Sequence, residues 1–178
     1  MGRRTRPAVG DPGRAVVLVM TRFAVRQIRR SDAVEFASYA YPEPYDLYDS
    51  APGSEAGFLD PANRYASVVD ASNALWGFCC FGPDARVPGG SYALASPALD
   101  VGVGMSPERT GQGAGSAFCA SVLAHGAAVG ATHFQVTVAA FNTRSLRVWA
   151  GLGFEERHRF EQPQTGRRFV QLVAQVPS

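Results

Sequence analysis

Three glycines at alternate positions, in Thr110-Gly111-Gln112-Gly113-Ala114-Gly115-Ser116, are the residues of this chain best suited to hold an anion. Having no side chain, they let the backbone curl until successive N–H groups face one point. The alanine-rich stretch from Ala117 to Val129 predicts a helix, whose N-terminus adds the partial positive charge that favours phosphate. A strand-like run, Leu99–Met105, precedes the loop. Strand, glycine loop and helix in that order make a cradle for a pyrophosphate. An ordinary strand–helix turn would also tolerate glycines. The dinucleotide pattern Gly-x-Gly-x-x-Gly is not met, because Ser116 stands where its last glycine belongs.

Four groups of side chains could do further chemistry. Asp100 lies on the strand that enters the loop; facing a cleft it could take a proton from an ammonium, and at a strand end it would be merely solvated. Glu43, Asp46 and Asp49 alternate with Tyr41, Tyr45 and Tyr48. Such a segment could wall a substrate site, carboxylates drawing an amine cation and tyrosines packing on its apolar part, or be a solvated loop. Asn142, ahead of Thr143-Arg144-Ser145, reads as a helix cap that could also meet a ligand. Cys119, just inside the predicted helix, is either acidified by the helix N-terminus or a small core residue. Cys79 and Cys80 are neighbours on a strand, point to opposite faces and are unsuited to a mutual disulfide.

Composition excludes several classes. All 17 basic residues are arginines, so a Walker loop and Schiff-base catalysis are ruled out for want of lysine. Three scattered histidines and three cysteines without a CxxC pair offer no metal-ligand spacing, and the cysteine usage suits a reduced, cytoplasmic setting. The net charge is +2, yet Arg3, Arg4, Arg6 and Arg14 against Asp11 all precede Met20. Removing those four positive charges and one negative charge leaves −1, so net charge gives no nucleic-acid partner. No apolar run nears the roughly 20 residues of a membrane span.

These residues need elements to position them. At 178 residues, 46% hydrophobic and 18% charged, the chain suits one globular domain. Residues 1–19 read as a loose tail or as sequence ahead of a true start at Met20, with the domain over 20–178. Phe23–Arg29 predicts a strand, and Ser31-Asp32 an N-cap before a helix from Ala33. Tyr39–Asp60 reads as a loop with a short helix. Tyr65–Asp70 and Leu75–Phe81 form a predicted hairpin across Ala71-Ser72-Asn73, and Gly82–Pro97 a connection. After the loop helix come a strand at Phe134–Ala139, a helix at Thr143–Leu152, and strands at Glu155–Glu161 and Arg168–Val176. The alternation predicts an α/β (α+β) fold, a mixed sheet with helices on both faces.

Two blocks together resemble the GCN5-related N-acetyltransferase (GNAT) family, over Phe23 to the C-terminus. Asp100 to Ser116 is similar to that family's strand and pyrophosphate loop; Asn142 to Gly153-Phe154 is similar to its second signature, an asparagine opening a helix that ends in Gly-Phe. The resemblance implies a mostly antiparallel central sheet splayed between its fourth and fifth strands. It also implies acetyl-CoA as cofactor, with backbone groups around Val103–Met105 meeting the pantetheine amides. The loop Thr110, Gly111, Gln112, Gly113, Ala114, Gly115 and Ser116 would surround the pyrophosphate. Asn142 would reach the pantetheine arm, and Arg144 or Arg147 the phosphates. Catalysis would be direct attack of an amine on the thioester, with deprotonation, orientation and oxyanion stabilisation supplied by the protein.

Three positions depart from the family pattern. Thr110 opens the loop in place of Arg or Gln, with Arg109 one residue earlier. Thr137 stands where some relatives have a glutamate base. Trp149 stands where a tyrosine acid is common, and an indole N–H does not release a proton near neutral pH; Trp149 reads as core or as a wall of the thiol pocket. The expectation is therefore an N-acetyltransferase with Asp100 as candidate base, Tyr41, Glu43, Tyr45 and Asp46 toward the substrate, and no metal. The substrate expected is a small primary amine or peptide α-amine, and a homodimer is open. The competing readings are another acyl group on the same coenzyme, or an acyl-CoA-binding module without catalysis.

Overall fold

Strand β1 (Phe23–Gln27) opens the part of the chain described by a computed structural model, which covers residues 22–92 and 98–175. The expectations for residues 1–19, for 93–97 of the connection and for Val176 lie outside those residues. Then follow α1 (Arg30–Phe36), α2 (Glu55–Leu59), β2 (Ala66–Asp70), β3 (Leu75–Phe81), β4 (Leu99–Met105), α3 (Gly115–Ala128), β5 (His133–Ala139), α4 (Thr143–Gly151), β6 (Glu155–Glu161) and β7 (Arg168–Gln175). Short 3-10 turns at Tyr45–Tyr48 and Pro83–Ala85 interrupt the two long connections.

The strands form one sheet in the order β1-β2-β3-β4-β5-β7-β6. All neighbours run antiparallel except β4 and β5, which run parallel. That parallel pair holds for only two rungs, Leu99 opposite Phe134 and Asp100 opposite Gln135. Beyond them β4 stays with β3 as far as Gly77 opposite Met105, while β5 stays with β7. The mixed sheet is as the alternation of elements predicts, and the parting of the fourth and fifth strands is as the family resemblance implies.

Strand alternation divides the apolar residues between two layers. On one face Phe23, Val68, Cys79, Val101, Val136 and Val138 meet Phe118 and Val122 of α3 and Trp149 of α4. Phe118 and Val122 are fully buried four residues apart, and each contributes about 2 kcal/mol by leaving water. On the other face Phe78 and Tyr65 pack on Ala33 and Phe36 of α1 and Phe58 of α2. Among the described residues no helix is long and apolar enough to cross a membrane.

The expected cap of the first helix is corrected. Helix α1 begins at Arg30 with Arg29 as its N-cap, and Asp32 is the third helical residue, its carboxylate accepting from the Arg29 N–H at 2.8 Å. Asp32 is buried, and it also takes Ser67 Oγ at 2.7 Å and the Arg26 guanidinium. Those long-range partners outweigh the local preference of Ser31 for the cap.

Candidate active site

The glycine loop leaves a row of donors without protein acceptors. In α3 the first backbone bond is Phe118 N–H to the Ala114 carbonyl, and the N–H groups from Gly111 to Ala117 bond to nothing in the described residues. No side chain caps this helix, whereas Asn142 Oδ1 caps α4 by accepting from Ser145 N–H at 3.1 Å. Uncapped donors at a helix start are costly unless an anion or water takes them. Gly111 and Gly113 sit at φ of +76° and +75°, a left-handed conformation that favours glycine. A Cβ on Gly113 would meet nothing within 4 Å, so the space above it is open, and one on Gly115 would crowd Val148 of α4 at 3.1 Å.

The side chains of the loop turn elsewhere. Thr110 Oγ1 donates to the Pro107 carbonyl at 2.9 Å, and Gln112 Nε2 to the Glu108 carbonyl at 2.8 Å. Arg109 lies over the Trp76 ring at 4.5 Å. Arg144 reaches the loop, its Nη1 lying 3.7 Å from the Cβ position of Gly111. It stacks on Tyr45 at 4.3 Å and donates to its hydroxyl at 3.1 Å. Arg147 is exposed and does not line the cavity described next.

A cavity of about 670 Å³ occupies the splay and ends at this loop. Of the residues proposed from sequence, Val103, Met105, Thr110, Gly111, Gly113, Ala114, Gly115, Asn142, Trp149, Tyr41 and Tyr45 line it. Gln112 and Ser116 do not line it and can contribute only backbone donors at its edge. Trp149 is buried, edge-to-face with Phe154 at 4.9 Å, so the wall here is an indole without a phenol. Glu43 and Asp46 line a separate hollow of about 870 Å³ with Arg159, Arg167 and Arg168; Phe169 borders both spaces. The acidic, tyrosine-bearing segment thus divides, tyrosines toward the splay and these two acids away from it.

That segment crosses the splay. Tyr41 donates its hydroxyl to the Met105 carbonyl at 2.8 Å, on the β4 side. The Tyr48 hydroxyl accepts from Ala139 N–H and from Asn142 Nδ2, each at 3.3 Å, on the β5 side. Burial raises both hydroxyls above the usual tyrosine range, so they stay protonated.

Asp100 stands outside the cavity wall. One carboxylate oxygen accepts from Gln135 Nε2 at 2.6 Å, the other from Arg86 Nε at 2.8 Å. A buried carboxylate so engaged, off the cavity wall, has neither oxygen turned to the space where the expected base would act. Cys119 does line the cavity, but burial pushes its thiol up to about 12, against acidification by the helix. Cys79, Cys80 and Cys119 are all free.

Sequence reading missed Asp84, Arg86 and Tyr65, all on the wall. The Pro83–Ala85 turn carries Asp84 against β4 because Gly102 has no side chain: a Cβ there would lie 2.6 Å from Cys80 Sγ and 3.3 Å from Ala85 Cβ. Glycines on alternate positions of β4, Gly102 and Gly104, were the available signal that a neighbouring segment lies flat on that strand.

Comparison with known proteins agrees with this fold. The sequence model of the acetyltransferase (GNAT) family matches residues 24–154. No curated protein matches the sequence closely enough to serve as a relative. Among solved structures, a GNAT-family acetyltransferase from Bacillus anthracis is 14% identical, with 86% of this chain and 95% of that one aligned at a TM-score of 0.67. A phosphinothricin acetyltransferase from Sinorhizobium meliloti, in complex with AcCoA, is 16% identical over 87% of this chain and 89% of its own, at 0.62. A spermidine N-acetyltransferase chimera from Vibrio cholerae is 18% identical over 86% and 95%, at 0.60. At such identities the structural likeness speaks for the fold, while the family match spans most of the sequence: the chain belongs to the acetyltransferase (GNAT) family.

Proposed function

We propose that this protein is an acetyl-CoA-dependent N-acetyltransferase acting on a small primary amine or peptide α-amine by direct attack on the thioester. The observation that carries the reading is the row of unpaired N–H groups from Gly111 to Ala117 at the end of a cavity that opens where β4 and β5 part. Such a row fits a pyrophosphate, with Arg144 beside Gly111 as the adjacent cation. Acetyl-CoA supplies the activated acyl group; the chain's own residues bind and orient. Beyond Asp100 the edge groups of β4 lack a β5 partner, and apart from the Met105 carbonyl, which takes the Tyr41 hydroxyl, they are available to an amide-bearing arm. Val103, Met105, Val148 and Trp149 exclude water from the reacting end.

Thiol release from acetyl-CoA, followed colorimetrically over a panel of amines and short peptides, tests the reading. The expected result is release that depends on both acetyl-CoA and an amine. Coenzyme A bound without release to any amine would favour a binding module, a reading kept open by the indole at Trp149. Release from succinyl-CoA alone would move the assignment to another acyl group. Gly113→Val should reduce coenzyme A affinity by about tenfold or more with the fold intact, since the substituent projects into open space above the donors at a left-handed φ. Unchanged affinity in calorimetry would remove the cradle assignment.

A further inference from the structure

We propose that Asp84 is the carboxylate that docks the substrate's ammonium group, making the cavity selective for cationic amines that carry an apolar or aromatic body. The inference rests on the acetyltransferase reading and adds to it the class of substrate.

Asp84 is the only carboxylate among the described residues that line the splay cavity. Glu43 and Asp46 face the neighbouring hollow, and Asp100 is consumed inside the sheet by Gln135 and Arg86. Asp84 forms no ion pair with the described residues. Of the cations nearby, Arg86 is engaged with Asp100 and over the Tyr92 ring at 5.3 Å, and Arg144 with Tyr45, while Arg64, whose Nη1 lies 3.8 Å from the Cβ position of Gly82, is exposed and does not line the cavity. An incoming ammonium therefore meets a carboxylate that no guanidinium of the described residues pairs with.

The surroundings suit that role. The Tyr65 hydroxyl lies beside Asp84, and burial holds this phenol far above its ordinary range, so it stays a neutral donor that can orient the carboxylate. Tyr41, Tyr65 and Phe78 contribute aromatic surface to the same wall, which attracts a cation and covers an apolar body. The Cys80 thiol beside Tyr65 is pushed up to about 12 by burial and adds no charge. Charge along the cavity is thus ordered: a carboxylate beside Tyr65, on the turn that packs against Gly102 of β4, and a guanidinium next to Gly111 past the end of that strand. An anionic cofactor and a cationic acceptor would each meet the opposite sign, which orients one toward the other.

The test uses 2-phenylethylammonium and its neutral counterpart 2-phenylethanol, titrated calorimetrically into the full chain with and without coenzyme A. The parent should bind the ammonium about tenfold more tightly than the alcohol. Asp84→Asn should erase that preference while leaving the alcohol unchanged, and Asp84→Glu should recover part of it. A parent that binds the ammonium no better than the alcohol, or an Asp84→Asn protein with the preference intact, overturns the inference. The coenzyme A titration keeps the two claims apart: coenzyme A bound without ammonium preference removes the docking role alone, and absence of coenzyme A binding removes the acetyltransferase reading.

Discussion

Asp100 and Gln135 face each other on the last rung that β4 and β5 share, joined by a 2.6 Å bond from the Gln135 amide to the carboxylate. Gln135 Oε1 in turn accepts from Gln171 of β7 at 2.6 Å, and Arg86 closes the other end of the chain. All three of Asp100, Gln135 and Gln171 are buried. The polar chain therefore ties three strands together where the backbone ladder between β4 and β5 ends, and it fixes the point from which the splay opens.

Asp100→Ala should destabilise the protein by about 2–3 kcal/mol, because it strands the Gln135 amide in the sheet; the half-exposed Arg86 loses less. Asp100→Asn should cost less, since the amide oxygen can still accept. Urea unfolding checks both. The activity of Asp100→Asn should keep the parent's pH profile. A low-pH limb that disappears in the variant would return Asp100 to the role of base.

Much of this arrangement was legible in the chain. Gly111, Gly113 and Gly115 marked the loop because left-handed backbone and close approach leave a trace in residue type. Helix α4 was announced by Asn142, a local cap. What distance in sequence brings together left no such trace. Nothing adjacent to Asp100 says that Arg86 and Gln135 will occupy both its oxygens, and nothing near Asp84 says that a bare Gly102 will admit its turn. Ser31-Asp32 misled for the same reason: Arg26 and Ser67, on β1 and β2, decide where that carboxylate goes.

The tyrosine strap across the splay has two unequal anchors. Tyr41 to the Met105 carbonyl is short and partly buried, while both contacts of the Tyr48 hydroxyl are at 3.3 Å. Tyr41→Phe should therefore loosen the segment more than Tyr48→Phe, by about 1 kcal/mol against a few tenths. Hydrogen exchange reads this locally: the Ser50 N–H, which donates to the Tyr39 carbonyl, should exchange faster in Tyr41→Phe. Unchanged protection would mean that apolar packing alone holds the strap.

Asp32 gives the fold an acid-sensitive joint between α1, β1 and β2. Burial by itself would raise its carboxyl, but the bonds from Arg26, Ser67 and the Arg29 N–H together bring it below its ordinary value of 3.8. A carboxyl depressed in the folded state stabilises fully above its unfolded value, and that contribution fades as pH falls through the folded value. The parent and Asp32→Asn should then differ most above about pH 5, by about 2 kcal/mol, because the variant removes the carboxylate that pairs with Arg26 and leaves it the Asn73 and Gln27 oxygens. Their urea midpoints should converge as the pH is lowered below 3.8, where the parent's carboxyl also takes up a proton. A gap that stays constant from neutral pH into that acidic range would assign the stabilisation to the hydrogen-bonded shape of the side chain, with no part for its charge.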